Sequence, residues 1–326
     1  MKKILFLSNT ANFSKFNLPY MKWFHEQGWQ VDYCSSGEEV VKECDNQYSI
    51  CIARSPFSIK NIKAYQQLKH LLAENGYDIL HCHTPMGGVL GRLAAKSLWK
   101  KKKIKIIYTA HGFHFFKGAS LVNWILYYPV DSLEEKNKLR EAHGFHIEDF
   151  ILIYTAEFIP RKNHQLLFDI LPSLKRIIPE LKLILCGKGR LLEDFQAKAA
   201  ENKMDYVHFT GYTKGIPDWC RLSDVLIMPS FQEGLPIAMV EAIATGLPVV
   251  ASNIRGHVDV IKDCINGFLF PPKDREGFIK AIYTLYENPM LRQEMGKRNI
   301  EVAQNFSVKK AVSAMADIYH ELIYSI

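Results

Sequence analysis

The alternation of short apolar runs with helical patterns constrains the fold of this chain more than any other feature of its sequence. In the first half, strand-like "KKILFLSN", "QVDYCSS", "DILHCH" and "KIKIIYTAHG" are separated by helix-like "NLPYMKWFHEQG" and "GGVLGRLAAKSLWK". Because helices return the chain between strands that run in one direction, this order predicts βαβ units on a parallel sheet covered on both faces. The alternation starts afresh at "DFILIYTAE" and continues through "ELKLILCGKG" and "DVLIMPS". Two doubly wound α/β domains are therefore predicted.

The boundary between the two halves is marked by the polar helical segment "VDSLEEKNKLREAHGF". Ser132 and Glu135 have the spacing of a capping box at its start, and Gly144 is placed as a helix stop. We predict an N-terminal domain over residues 1–130 and a C-terminal domain over residues 131–326. The second range includes the helical patterns "FIKAIYTLYENPMLRQEM" and "AVSAMADIYHELI", whose apolar residues recur at three and four positions.

Composition limits the classes of protein to which the chain can belong. Its 326 residues are 48% apolar and 23% charged, which is typical of a soluble globular protein. The formal charge of +7 suits an anionic small molecule, a membrane surface or nucleic acid alike. The seven cysteines form no CxxC pair, and the apolar run in "MKKILFLSNTANF" is too short for a signal peptide or a membrane span. These observations predict a cytoplasmic protein without a zinc site or a disulfide framework.

The densest basic run is Lys100–Lys103, directly before the apolar "IIYTA" strand. A solvated helix end is the favoured interpretation, and a role at a membrane surface stays open. The basic residues form no stripe interleaved with base-stacking aromatics, so nucleic-acid binding is disfavoured. Aromatic residues crowd "HGFHFFKGASLVNWILYYP"; we interpret most of them as core, with an interfacial face for a lipid substrate as the alternative.

Ligands of open α/β sheets bind outside the carboxyl ends of the strands, so the residues that follow the strand-like runs are candidates for a site. In "PRKN", Arg161 and Lys162 precede a helix whose free N–H groups favour anions; a phosphate clamp and plain surface solvation explain them equally well. In "CGKGR", Gly187 lets the backbone approach a ligand closely, although tight strand-to-helix packing explains it nearly as well. "HTPMGGVLG" lacks the GxGxxG spacing, which disfavours nicotinamide dinucleotides.

The stretch "SFQEGLPIAMVEA" carries two glutamates, Glu233 and Glu241, around a predicted turn and helix. Gly234 permits the turn, and Pro236 suits the first position of the helix. Two carboxylates so placed can accept hydrogen bonds from vicinal hydroxyls, and the N–H groups from Leu235 onward can meet a diphosphate. A nucleotide sugar has both features. The alternative is that Glu233 is an acid favoured by the helix dipole and Glu241 an ordinary surface residue.

In combination, these motifs resemble the family 4 retaining glycosyltransferases of the GT-B fold, close to the enzymes that build capsular polysaccharide and exopolysaccharide repeat units. "QEGLPIAMVEA" is similar to the family's signature of two glutamates and "PRKN" to its phosphate-binding loop. "HCHTPMGGVLGRLAAK" and "TAHGFHFFKGA" are similar to the N-terminal domain of this subgroup. The resemblance implies two Rossmann-like domains that face each other across a cleft. It also implies a nucleotide-sugar donor, most often a UDP-sugar, bound mainly by the C-terminal domain.

The resemblance also implies roles for individual residues. Glu233 matches the residue that contacts the donor sugar, Glu241 the one that contacts the ribose, and Lys162 the one that contacts the diphosphate. His111 matches a histidine in the cleft beside the reacting sugar, so Glu233 and His111 are the predicted catalytic residues. The predicted donor-binding residues are completed by Arg161, Gly187, Gly234 and the backbone of Leu235 and Pro236.

The family chemistry implies transfer with retention at the anomeric carbon, without a catalytic metal or another cofactor. The leaving phosphate helps to deprotonate the acceptor hydroxyl in such a reaction, so no general base is assigned. Positioning and stabilisation of the diphosphate then supply most of the catalysis. The implied acceptor is a lipid-linked glycan, which places the enzyme as a peripheral protein at the inner face of the cell membrane.

Two departures from the family pattern bear on activity. Glu157 stands where many members have an arginine, so phosphate binding rests on Arg161 and Lys162. Near residues 129–131, about the length of a small βαβ segment is missing, because "WILYYPV" runs straight into a segment that resembles the region beyond the interdomain linker. An N-terminal sheet without its edge strands predicts that donor binding survives better than transfer. A sugar-nucleotide-binding protein without transferase activity is therefore the alternative.

Overall fold

The computed structural model describes residues 1–37, 39–109, 129, 132–213 and 215–324. The described residues form two compact units, each built on its own parallel sheet. The N-terminal unit holds the described residues up to 109 and those from 308 onward, and the C-terminal unit holds those from 132 to 307. Helices alternate with the strands of both sheets, so the predicted fold class of two doubly wound α/β domains is confirmed.

The N-terminal unit contains a five-stranded parallel sheet, in which the described strands follow the order β3-β2-β1-β4-β5. In the central strand, Ile4 is paired with Val31 on one side and Ile79 on the other. All residues of β4 are buried, as is typical of a parallel strand covered by helices on both faces. The elements are β1 (Lys3–Leu7), α1 (Leu18–Glu26), β2 (Gln30–Ser35), β3 (Asn46–Ser49), α2 (Lys60–Asn75), β4 (Ile79–His83), α3 (Pro85–Lys100) and β5 (Lys105–Thr109).

The C-terminal unit contains a six-stranded parallel sheet in the order β11-β10-β9-β6-β7-β8. The neighbouring strands β6 and β9 are paired, with Leu152 beside Val225. The elements are α4 (Leu133–Ala142), β6 (Phe150–Thr155), α5 (His164–Ile177), β7 (Leu181–Cys186), α6 (Leu192–Glu201), β8 (Val207–Gly211), α7 (Ile216–Leu222), β9 (Val225–Met228), α8 (Ile237–Ala244), β10 (Val249–Ser252), β11 (Gly267–Phe270), α9 (Arg275–Glu287) and α10 (Pro289–Ala303).

The last helix, α11 (Val308–Tyr324), packs on the N-terminal unit. Tyr319 is fully buried there, its hydroxyl lies 2.7 Å from Nδ1 of His81 in β4, and its ring stacks on Trp23 of α1 at 5.5 Å. The predicted domain ranges grouped this helix with the second domain. Its apolar spacing indicates a helix correctly, but an apolar face does not identify the sheet on which the helix packs.

Several sequence predictions concern residues outside the described ranges. His111 and the aromatic segment that follows it are among them, as are Val130 and Asp131 beside the predicted gap. All seven cysteines lie in the described ranges and are free thiols there. Within the ranges given above, no helix has the length and apolar character needed to span a bilayer.

Candidate functional site

Two loops meet at the carboxyl edge of the C-terminal sheet because the strands that they follow, β6 and β9, are neighbours. The first loop ends in a 3₁₀ turn over Pro160–Lys162, directly before α5. The Phe231 N–H in the second loop donates to the carbonyl of Arg161 in the first, at 2.8 Å. The Asn163 side-chain amide donates to the carbonyl of Pro229, at 2.9 Å. These hydrogen bonds fix the two loops against each other.

Lys162 and Glu233 form a buried ion pair between these loops. Nζ of Lys162 lies 2.5 Å from Oε1 of Glu233, and each side chain is 9% exposed. The hydroxyl of Ser230 donates to the same glutamate oxygen at 2.7 Å. The Tyr154 hydroxyl lies 2.8 Å from the Lys162 carbonyl and 2.9 Å from Oγ of Ser230. The structure thus brings together two residues that the sequence assigned to one site, within a polar network that local patterns did not predict.

The electrostatics of this network follow from its burial. Burial raises the pKa of Tyr154 well above its ordinary value, so its hydroxyl stays protonated and can donate a hydrogen bond. A buried ion pair is held by mutual attraction against a large desolvation penalty, and the loss of one partner leaves an unpaired buried charge. The Lys162–Glu233 pair is therefore a place where an incoming anion or a sugar hydroxyl can exchange with an existing partner.

The predicted turn and helix after Glu233 are present. The α8 helix starts at Ile237, one residue later than predicted, with Pro236 at the N-cap position. The Ile237 N–H donates to the Leu235 carbonyl at 3.0 Å, so this group is used inside the turn. Glu241 is half-buried in the second turn of α8, close enough to Cys220 to contribute to the raised pKa of that thiol, although burial is the larger cause.

Gly256 supports the turn at Glu233 and was not predicted from the sequence. It has a φ of +92°, and a Cβ built on it would lie 2.0 Å from the Gly234 carbonyl oxygen. The loop after β10 therefore packs backbone against backbone on the turn that carries Glu233. Its position could have indicated a role, because Gly256 follows the strand-like run "LPVVAS", and the other candidate site residues also follow strand-like runs.

His257 is a second residue that sequence reasoning missed. It is fully buried, and its Nδ1–H donates to the Ser252 carbonyl at 2.8 Å. Burial lowers the pKa of His257, while the charges of Glu233 and Lys162 act on it in opposite directions, which places the ring near the ion pair. Nε2 has no hydrogen-bond partner among the described residues. A single histidine in "IRGHVDV" gives no spacing that could have identified it.

Gly187 occupies a tightly packed position. Its φ is +149°, and a Cβ there would lie 2.0 Å from the Ala156 carbonyl oxygen. The Ala156 N–H donates to Cys186 and the Phe158 N–H to Lys188, so the loops after β6 and β7 are joined by backbone hydrogen bonds. Two interpretations of Gly187 were given above, close packing and close approach of a ligand. The structure shows close packing of Gly187 against Ala156.

The other predicted residues lie in the same unit with different surroundings. Arg161 is half-buried and contributes its carbonyl to the loop contact, and its charge acts on the pKa of Tyr154. Leu235 is exposed on the tip of the turn. His111 lies outside the described residues. In the described part of the chain, no group of three or more His, Cys, Asp or Glu residues is arranged to hold a metal ion.

Relatives of the chain are found among glycosyltransferases. EpsD of Bacillus subtilis, which carries a glycosyltransferase assignment, is 36% identical over 367 aligned residues, covering 98% of this chain and 96% of EpsD. The UDP-Gal:alpha-D-GlcNAc-diphosphoundecaprenol alpha-1,3-galactosyltransferase of Escherichia coli is 25% identical, covering 83% of this chain and 82% of that enzyme. Both similarities extend across the two units of the structure.

The alignment with EpsD is longer than this chain. It runs over 367 residues, whereas the chain has 326, so at least 41 positions of the alignment have no residue of this chain. The deletion near residues 129–131 stays a prediction, because this total does not place the missing positions along the chain.

Fold and family models lead to the same assignment. The crystal structure of Anabaena Alr3699/HepE in complex with UDP superposes with a TM-score of 0.75 at 17% identity, covering 98% of this chain and 100% of that chain, which shows a shared fold. The family model "Glycosyl transferases group 1" matches residues 135–302, and "Glycosyl transferase 4-like" matches residues 3–142. Since the first model spans more than half of the chain and EpsD matches nearly all of it, the chain belongs to the group 1, family 4 glycosyltransferases of the GT-B fold.

Proposed function

We propose that this glycosyltransferase moves a sugar from a UDP-sugar to a lipid-linked glycan, with retention of the anomeric configuration, during synthesis of a cell-surface polysaccharide. The observation that carries the proposal is the buried Lys162–Glu233 pair at the carboxyl edge of the C-terminal sheet. Ligands of open α/β sheets bind at this edge. The pair offers one cation for a diphosphate and one carboxylate for sugar hydroxyls, which are the two chemical features of a nucleotide sugar.

Donor binding would proceed by exchange of partners. The diphosphate binds the Lys162 ammonium group and displaces the Glu233 carboxylate. The displaced carboxylate then accepts hydrogen bonds from hydroxyls of the donor sugar. Ser230 and Tyr154 keep both groups in place, because their hydroxyls contact the carboxylate and the Lys162 backbone. Glu241, on the next helical turn of α8, is the proposed partner of the ribose. Catalysis then rests on positioning and on stabilisation of the leaving diphosphate.

The acceptor and the pathway are proposed from similarity. The Escherichia coli relative carries in its name a galactosyl donor and an acceptor linked to diphosphoundecaprenol. We propose an acceptor of the same chemical class here, a glycan on a polyprenyl diphosphate. Such an acceptor is confined to a bilayer, so the enzyme works at the inner face of the cell membrane. His111 is proposed to lie beside the reacting sugar.

Turnover measurements test this function. Release of UDP from a panel of UDP-sugars is followed with and without a polyprenyl-diphosphate-linked acceptor, and the anomeric configuration of the product is read by NMR. We expect acceptor-dependent release with one donor, lost in Glu233→Gln and retained in the matched surface variant Glu294→Gln, whose carboxylate pairs with Arg298 on an exposed helix face. Turnover unchanged by EDTA is expected, since no metal is proposed to act.

A second candidate function is binding of a nucleotide sugar without transfer. It is favoured by the alignment with EpsD, in which at least 41 positions have no residue of this chain. Calorimetry separates the two functions. Binding of UDP or a UDP-sugar that is lost in Glu241→Ala, with no turnover in the parent chain beside an active relative of full length, supports the binding protein. Acceptor-dependent turnover by the parent chain excludes it.

A further inference from the structure

Two side-chain atoms at the carboxyl end of β10 and in the loop that follows it are buried without a hydrogen-bond partner among the described residues. They are Oγ of Ser252 and Nε2 of His257, and both residues are fully buried. Since neither atom has a partner, the two do not bond to each other. Buried polar atoms are normally hydrogen-bonded, and ligands of open α/β sheets bind at the carboxyl ends of the strands. Unsatisfied atoms at this place therefore indicate contacts that a ligand supplies.

The His257 ring is held in one place, and its second nitrogen can only accept a hydrogen bond. Because the Ser252 carbonyl, 2.8 Å from Nδ1, is an acceptor, Nδ1 carries the proton. Burial lowers the pKa of His257, so the ring is neutral and Nε2 has a lone pair without a proton. The backbone is fixed as well, since the His257 N–H donates to Ile254 at 3.1 Å and its carbonyl accepts the Ile261 N–H at 2.8 Å. The unsatisfied acceptor thus has a fixed position.

The loop that carries His257 lies against the turn that carries Glu233. A Cβ built on Gly256 would lie 3.2 Å from the Glu233 carbonyl oxygen, in addition to its overlap with the Gly234 carbonyl. His257 therefore follows directly after a backbone contact with the glutamate. The charges of Glu233 and Lys162 both act on the His257 ring. Backbone packing and electrostatics together place the ring in the same polar region as the ion pair.

The ion pair does not supply the hydrogen bond that Nε2 of His257 lacks. The Lys162 ammonium bonds to Glu233 and is not a partner of Nε2, and a carboxylate has no proton to donate. A diphosphate also only accepts hydrogen bonds, so the missing donor belongs to another part of a nucleotide sugar. Hydroxyls are found on the ribose, for which Glu241 is the proposed partner, and on the transferred sugar, for which Glu233 is. The neighbourhood of Glu233 favours the transferred sugar.

We propose that Nε2 of His257 accepts a hydrogen bond from a second hydroxyl of the donor sugar, beside the one bound by Glu233. This inference rests on the proposed function, in which the diphosphate displaces the Glu233 carboxylate from Lys162. The same displacement opens Nε2, which is closed to solvent while the ion pair is formed. Two acceptors at fixed positions recognise two hydroxyls, and a site that hydrogen-bonds a hydroxyl rejects a ligand without it. His257 thereby contributes to the choice of the sugar.

Calorimetry with two substitutions tests the proposal. The full chain is titrated with UDP and with UDP-glucose, UDP-galactose and their N-acetylated forms. His257→Asn removes Nε2 but keeps an N–H near the position of Nδ1 for the Ser252 carbonyl, whereas His257→Gln places an amide oxygen near the position of Nε2. We expect His257→Asn to weaken binding of the preferred UDP-sugar at least about fivefold and to change UDP affinity by less than about twofold. His257→Gln should recover most of the loss.

A second histidine provides the matched control. His208 lies near the amino end of β8, its ring packs on Phe145 at 4.7 Å, and its Nε2 also has no partner in the described part of the chain. His208→Asn makes the same chemical change in the same unit, away from the carboxyl edge of the sheet. It should bind UDP and the UDP-sugar as the parent does. Urea unfolding curves verify that each variant is folded under the conditions of the titration.

Deoxy analogues of the preferred UDP-sugar provide a readout that needs no variant. In the parent chain, removal of either of two sugar hydroxyls should weaken binding at least about fivefold. In His257→Asn, one of these two losses should disappear, because the hydroxyl concerned no longer has its partner. Glu233 then accounts for the loss that stays.

Several results would overturn the role of His257. They are unchanged UDP-sugar affinity in His257→Asn, equal losses for UDP and UDP-sugar, which make the ring a support of the turn, and a parent chain that responds to the removal of only one sugar hydroxyl. Each of these leaves the proposed transferase function standing, since the parent chain still binds its donor. A parent chain that binds neither UDP nor any UDP-sugar of the panel contradicts the proposed function itself, and the role of His257 with it.

Discussion

At the scale of single residues, the observed ion pair of Glu233 competes with its proposed contact to the donor sugar. Its carboxylate is held by the Lys162 ammonium and the Ser230 hydroxyl, both on the same oxygen. The same oxygen is proposed to face the donor sugar, so ligand binding has to replace an interaction that stabilises the loops. Such competition allows the turn to be well ordered before the donor arrives, at some cost in affinity.

We predict that Lys162→Met destabilises the chain by about 3–5 kcal/mol, because it leaves the Glu233 carboxylate buried without a cation. The double variant Lys162→Met/Glu233→Gln should recover a large part of this loss, since no uncompensated charge is left. Urea unfolding monitored by circular dichroism measures both values. As a control, Arg298→Met breaks an exposed pair with Glu294 and should change stability by less than about 1 kcal/mol. Equal destabilisation of single and double variants would contradict the assignment of a buried ion pair.

His164 predicts how stability responds to acid. It is buried, its ring stacks on Phe158 at 4.2 Å, and burial next to the Lys162 charge lowers its pKa to about 3 from an ordinary 6.5. A histidine whose pKa is lowered on folding binds fewer protons in the folded state. Stability is therefore complete above about pH 6.5 and is lost progressively as the pH falls toward 3, by about 2 kcal/mol at pH 5.

Replacing this histidine should remove most of that acid sensitivity. His164→Phe keeps the stacked ring and cannot be protonated, so the difference in unfolding free energy between pH 7.5 and pH 5 should shrink by about 2 kcal/mol. Urea titrations at the two pH values measure the difference. His70→Gln, at an exposed position on α2, should leave it unchanged. A variant that keeps the full acid dependence would show that another group, such as the buried His257, is responsible.

At the scale of secondary-structure elements, the sequence predicts features that are set by residues close together in the chain, such as the start and end of a helix. The boundary helix α4 begins as expected, because the Ser132 hydroxyl accepts the Glu135 N–H at 3.2 Å, and Gly144 follows its end with a φ of +79°. The Glu135 carboxylate pairs with Arg221 of α7. Local spacing thus predicts the helix and its start but not the tertiary partner of its first turn.

Local sequence patterns likewise predict only part of the candidate site. Lys162 and Glu233 were each found from the motif that contains it, but their direct contact joins positions 71 residues apart, which no local pattern specifies. Tyr154 and Ser230 were missed because a tyrosine inside an apolar strand and a serine at its neighbour's end carry no spacing of their own. The same holds for Tyr319 and His81, which are 238 residues apart and tie α11 to the N-terminal sheet.

We predict that Gly256→Ala reduces donor affinity at least about tenfold, because the added methyl group overlaps the Gly234 carbonyl and displaces the turn that carries Glu233. Calorimetric titration with UDP measures the change. Gly76→Ala is the control, since Gly76 also has a positive φ but has no atom within 4 Å of the built Cβ. Weakened UDP binding in Gly76→Ala, or unchanged binding in Gly256→Ala, would contradict the contact as the cause.

At the scale of the whole molecule, the two units carry different parts of the proposed activity. In the described chain, the turn that carries Glu233 and the residues that support it, from Tyr154 to His257, belong to the C-terminal unit. That unit has its own large hydrophobic cluster. Residues from all six strands of the sheet belong to this cluster or pack against it. The residues proposed to bind the donor therefore lie in one unit.

This separation predicts that residues 132–307 fold alone and bind UDP. The fragment keeps the Lys162–Glu233 pair, the Gly256 contact and a complete six-stranded sheet, so its affinity for UDP should lie within about tenfold of the parent chain's. Cooperative urea unfolding establishes folding, and calorimetry measures binding. Glu233→Gln in the fragment is the matched control and should weaken binding as it does in the parent. If the fragment folds but binds UDP far more weakly, the N-terminal unit supplies part of the nucleotide site. If it does not fold, the C-terminal core needs the rest of the chain for its stability.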